Sequence, residues 1–189
     1  LLILPAYATF GYPGASFFMA FVAALLVLAI RSLCRAAGAS DATAEGIGWV
    51  VALSPPLAHF APLVFTEVPA ALLVAVGLTA GLGVPPGRLR ALGVGAAIAF
   101  LPWLNVRYAF LTVILSAFLV LAWRRFTPAV LVLLPNILSA GLIVLYHSIL
   151  YGFFDPRRVY GKRPEFALEI LPEGLPGLFL DQEFGLFVA

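Results

Sequence analysis

A chain of 189 residues that is 63% hydrophobic and 11% charged is not an ordinary soluble domain, because one of this length cannot hide so much apolar surface. Its formal net charge of +2 comes from arginines placed singly or in pairs at the ends of apolar runs, which argues against a nucleic-acid surface and for no nucleic-acid partner. The lone Cys34 excludes an internal disulfide and a cysteine-built metal cluster.

Six apolar stretches follow in chain order, at 13–33, 42–60, 65–82, 89–104, 108–122 and 127–151. Each approaches, or falls somewhat short of, the ~20 residues that cross a bilayer core. The expected fold is all-α: a polytopic transmembrane helix bundle of about six spans, one transmembrane domain over 1–189, in an integral membrane protein. The segment 152–189 reads as an outer-face loop leading into a further, truncated span. The chain starts Leu-Leu-Ile and stops within an apolar run, so a fragment of a longer protein is expected.

Arg31 and Arg35 follow the first stretch, Arg88 and Arg90 the third, and Arg124 and Arg125 the fifth. Basic residues in short loops mark the cytoplasmic side, and these pairs alternate as that rule requires. The start of the chain and the tail from about Gly152 then face outside: the periplasm or extracellular space of a bacterium, whose plasma (inner) membrane is the expected location, or a lumen in a eukaryote. Pro55-Pro56 is expected to end or kink the second stretch and Pro135 to kink the sixth. Gly83–Gly87 is a turn signal. Gly93 and Gly95, among Ala91, Ala96 and Ala97, give the fourth stretch a small-residue face for close helix packing.

The uncommon polar residues gather on the expected outer side. Glu67 opens the third stretch within Phe65-Thr66-Glu67-Val68-Pro69. A carboxylate at the edge of hydrocarbon usually faces protein or water, where Glu67 can bind a metal, orient a hydroxyl or pair with Arg107. It can equally serve the helix dipole, with Thr66 as N-cap. Arg107 and Tyr108, close to Trp103 and Asn105, suit a phosphate held bidentately, or else a snorkelling cation in an interfacial aromatic belt. His59 and His147 lie near outer boundaries without metal-ligand spacing. The tail run Asp155, Arg157, Arg158, Tyr160, Lys162 and Arg163 suits a phosphate or diphosphate, or anionic headgroups. Asp181 and Glu183 are two apart, so on a helix they do not face one site.

Three places resemble the GT-C type of polytopic glycosyltransferase, closest to family 39 and its protein mannosyltransferase and aminoarabinose transferase relatives. They are Ala52-Leu53-Ser54-Pro55-Pro56 with Phe65-Thr66-Glu67-Val68-Pro69 onward, then Phe100–Tyr108, then Gly177-Leu178-Phe179-Leu180-Asp181-Gln182-Glu183-Phe184-Gly185-Leu186. The resemblance implies transfer of a sugar from a polyprenyl-phosphate donor to an acceptor at the outer face. Glu67 is then the acceptor-orienting or metal-holding acid. Asn105, Arg107, Tyr108, Asp155, Arg157, Arg158, Lys162 and Arg163 are then substrate-binding residues, with a divalent metal as the one implied cofactor. The partners implied are the bilayer and the lipid-linked donor. The group's main catalytic acid lies in a first outer loop that nothing here matches. Two other classes remain open on the residues alone: a transporter or flippase of a lipid-linked anion, and a non-catalytic membrane scaffold.

Overall fold

In a computed structural model of the chain, the described residues are 3–84 and 86–152. All regular structure among them is helical. The helices are α1 (Leu4–Ala36), α2 (Asp41–Leu53), α3 (Pro55–Phe60), α4 (Glu67–Leu82), α5 (Arg88–Ala99), α6 (Leu101–Leu104), a 3-10 turn (Val106–Tyr108), α7 (Ala109–Trp123) and α8 (Phe126–Tyr151). Two compact units are formed, Leu1–Tyr146 and His147–Ala189. The second is described only from the last turn of α8 to Gly152.

Three helical runs among the described residues are long and apolar enough to cross a membrane: Leu4–Ala36, Val106–Trp123 and Phe126–Tyr151. The other three expected stretches are shorter or divided. The stretch 42–60 is split at Ser54, whose backbone is extended (φ −61°, ψ 137°) ahead of Pro55. The stretch 65–82 is a helix of 16 residues. The stretch 89–104 breaks at Phe100, just before Pro102, leaving α5 with 12 residues. Proline removes a backbone donor and clashes with the preceding turn, which explains both divisions. Pro135, by contrast, is carried inside an uninterrupted α8.

The first helix starts earlier than its apolar stretch. It breaks at Gly11 (φ 63°, ψ −151°), two residues before Pro13. That conformation is open to glycine and costly for any residue with a Cβ. The expected start of the first span at residue 13 therefore coincides with the straight part of α1.

Helix α4 is central. It packs on α1 most extensively, then on α7 and α5. One core joins Met19, Val22, Ala23 and Leu26 of α1 to Val68 and Ala75 of α4. A second joins Ala70 of α4 to Ala91, Val94 and Ile98 of α5, Leu115, Leu119 and Trp123 of α7, and Val132 of α8. The outward faces stay apolar: Phe17, Leu53, Val113, Leu121 and Ile137 are each exposed by about two thirds or more (79%, 73%, 68%, 71% and 67%). An apolar surface this continuous is a liability in water and suits lipid.

Helices α1 and α2 form a hairpin closed by charge. Arg31 pairs with Glu45, and Arg35 Nε lies 2.6 Å from Asp41 Oδ1. Ser40 caps α2 by accepting from Thr43 N at 3.1 Å. Such partly exposed pairs stabilise by about 0–1 kcal/mol each, so they fix the hairpin's register more than its stability.

The small-residue face of α5 has a partner. A Cβ at Gly95 would sit 2.7 Å from the Val132 carbonyl oxygen and 2.8 Å from its Cα, in the backbone of α8. Gly93 has open space around it. Backbone cannot yield as a side-chain tip can, so Gly95→Ala should lower the thermal midpoint of the detergent-solubilised protein, at a cost of about 1–3 kcal/mol. Gly93→Ala should leave the midpoint unchanged or raise it.

Candidate functional site

Pro102 opens the site. Its missing N–H leaves the Ile98 carbonyl, four residues back, without its helical donor. The next donor along, Trp103 N, bonds Phe100 O at 3.0 Å instead of Ala99 O. Two carbonyls at the end of α5 thus lose their usual partners. Neighbouring helices supply replacements: Thr112 Oγ1 of α7 donates to Ile98 O at 3.3 Å, and Ser139 Oγ of α8 donates to Ala99 O at 2.7 Å. Trp103 Nε1 then donates to Ser139 Oγ at 2.9 Å. Thr112 and Ser139 are 8% exposed, so these bonds form where unpaired groups are costly.

This clasp holds the Trp103 ring against the first turn of α4. Met19 of α1, Phe65, Thr66 and Pro69 around the start of α4, and Phe100 and Trp103 enclose a cavity of about 210 Å³. Its walls are mainly apolar. Beside it, Thr66 Oγ1 and Tyr108 Oη approach to 3.4 Å, joining α4 to the 3-10 turn. That turn is set by Asn105, whose Oδ1 accepts from Arg107 N at 3.0 Å.

The expected site residues divide accordingly. Glu67 and Arg107 are both exposed and lie at one end of the bundle, each one residue from the Thr66–Tyr108 contact. They do not pair with each other, and among the described residues no hydrogen bond or ion pair holds Glu67. Tyr108 contributes its hydroxyl to the α4 junction, and Asn105 acts as a local cap. Thr66 occupies the N-cap position of α4, but its helical backbone (φ −77°, ψ −15°) gives no side-chain cap bond. Its hydroxyl turns to Tyr108. The capping half of the dipole alternative is therefore not what Thr66 does, while Glu67 does stand in the first turn.

His59 is exposed and stacks edge-on with Phe60, whose ring in turn meets Phe65. Among the described residues no three His, Cys, Asp or Glu side chains converge as a metal site. The tail candidates Asp155, Arg157, Arg158, Lys162 and Arg163 lie outside the described residues, as do Asp181 and Glu183.

Sequence reasoning missed Thr112 and Ser139. The available signal was a hydroxyl residue in each of two apolar spans, beside a third broken by proline. Comparison with known proteins found no match: no family model, curated protein or solved structure corresponds to this chain.

The two hydroxyls should rank by what their loss strands. Thr112→Val leaves Ile98 O with only a backbone donor at the end of α5 and should cost about 1 kcal/mol, whereas Ser139→Ala strands both Ala99 O and the Trp103 N–H and should cost more. Thermal unfolding in detergent should place the midpoints in the order wild type, Thr112→Val, Ser139→Ala.

Proposed function

We propose that this chain is the membrane part of a glycosyltransferase that moves a sugar from a polyprenyl-phosphate donor to an acceptor at the outer face of a bacterial plasma membrane. The observation that carries the reading is the junction of α4 with the 3-10 turn. An exposed acid and an exposed guanidinium stand together there, beside an apolar cavity at one end of the bundle. The bundle is read as six passes, with α2–α3 and α5–α6 crossing as broken helices alongside α4.

A lipid-linked donor needs apolar space next to a cationic edge. The cavity among Met19, Phe65, Pro69 and Trp103 takes the isoprene units nearest the phosphate. Arg107 holds the phosphate and stabilises the charge that builds on it as the sugar–phosphate bond breaks. Glu67 accepts a hydrogen bond from the acceptor hydroxyl and aligns it for attack. An exposed Glu67 with no partner among the described residues suits that task better than one locked in an ion pair. A divalent metal would need further ligands, which Glu67 alone does not supply. The proton leaves with a general base supplied elsewhere in the enzyme.

Transport has less support. Transporters place polar sites near mid-membrane, and α4 beyond Glu67, α7 and α8 carry no Asp, Glu, Lys or Arg.

Release of polyprenyl phosphate from lipid-linked sugars, measured on the intact protein in membranes, tests the reading. Glu67→Gln and Arg107→Ala should each lower turnover about 10- to 100-fold with expression unchanged. Turnover indifferent to both substitutions, or absent with every donor, would overturn it.

A further inference from the structure

At the opposite end of α5 lies a second cleft, of about 380 Å³, lined by Gly87, Arg88, Arg125, Phe126 and Thr127. We propose that this cleft binds the phosphate of an anionic lipid headgroup. The inference does not depend on the transferase reading.

Three independent features converge there. The first is charge. Arg88 opens α5 and Arg125 directly precedes α8, and both line one cleft. Both are exposed, and among the described residues neither has an acidic partner. The second is backbone polarity. Helices α5 and α8 run in the same direction, since Gly95 meets Val132 and Ala99 meets Ser139. Their N-termini therefore open onto the same cleft. Gly87 provides no side-chain cap to α5, and neither helix has an acid in its first turn. The free N–H groups and positive dipole ends remain available to an anion. The third feature is the rim. Phe126, which lines the cleft beside Arg125, is 85% exposed, and Leu89, next to Arg88, is 84% exposed. Acyl chains would cover these side chains, and a soluble phosphate would not. The rim therefore selects a lipid phosphodiester over a free anion.

The cleft is also held in place. Trp123, 2% exposed, donates from Nε1 to Ala80 O at 3.0 Å and ties the α7–α8 turn to the end of α4. Arg124 and Arg90 lie outside the cleft lining, so they carry the same charge without the same geometry.

The test uses the intact protein in detergent, titrated with phosphatidylglycerol, phosphatidylcholine and inorganic phosphate, with bound species counted by native mass spectrometry. Phosphatidylglycerol should bind more tightly than phosphatidylcholine. Arg88→Gln with Arg125→Gln should weaken phosphatidylglycerol binding about tenfold or more. The charge-matched pair Arg90→Gln with Arg124→Gln should change it less than about threefold. Equal losses in the two pairs would reduce the effect to net charge and overturn the proposal. So would no loss in the cleft pair, or binding of inorganic phosphate with no preference for phosphatidylglycerol. All four arginines are exposed, and a thermal midpoint on each variant checks that the fold is retained.

Discussion

A backbone amide or carbonyl left without a partner in hydrocarbon costs several kcal/mol, and this constraint organises the whole molecule. At two places among the described residues where a helix stops, side chains from neighbouring helices take up the carbonyls there. Ala80 O, in the last turn of α4, takes the indole N–H of Trp123. Ile98 O and Ala99 O, released around Pro102, take the hydroxyls of Thr112 and Ser139. Trp123 and Trp103 are thus clasps at opposite ends: Trp123 where α4 hands over to α5, and Trp103 where α5 hands over to α7.

The clasps also separate two chemistries. Around Trp103 the helix ends bring an acid, a guanidinium and two hydroxyls to the mouth of an apolar cavity. Near Trp123 they bring two arginines and the N-termini of α5 and α8 together, with no acid in the first turn of either helix. A reaction on a lipid-linked donor fits the first, and anchoring to anionic headgroups fits the second. Between them run α1, α7 with its 3-10 turn, and α8, which are long and apolar enough to cross a membrane.

Much of this was legible before any coordinates. The apolar runs announced helices, and Pro55, Gly83–Gly87 and Arg124-Arg125 marked breaks where breaks occur. Glu67 and Arg107 stood out because ionisable residues at the edges of apolar runs are expensive. The small face of α5 was also visible, although of its two glycines only Gly95 meets the backbone of α8. The length of single helices was less legible: Pro102 ends α5 early, and Leu4–Ala36 begins before its apolar run because Gly11 can absorb the bend. Thr112, Ser139 and the turn of Thr66 toward Tyr108 were hidden for a common reason. Each answers a backbone or side-chain group 14 to 42 residues away in sequence, and a local pattern carries no information about such partners.

The central claim is that the Thr66–Arg107 end and the Arg88–Arg125 end face opposite sides of one membrane. Single cysteines introduced by Val64→Cys, Val106→Cys, Gly87→Cys and Thr127→Cys, each with Cys34→Ala, test it through labelling by a membrane-impermeant maleimide. The account predicts that the first two react in intact cells and the last two react only after the membrane is opened. Labelling of all four from the same side would contradict it.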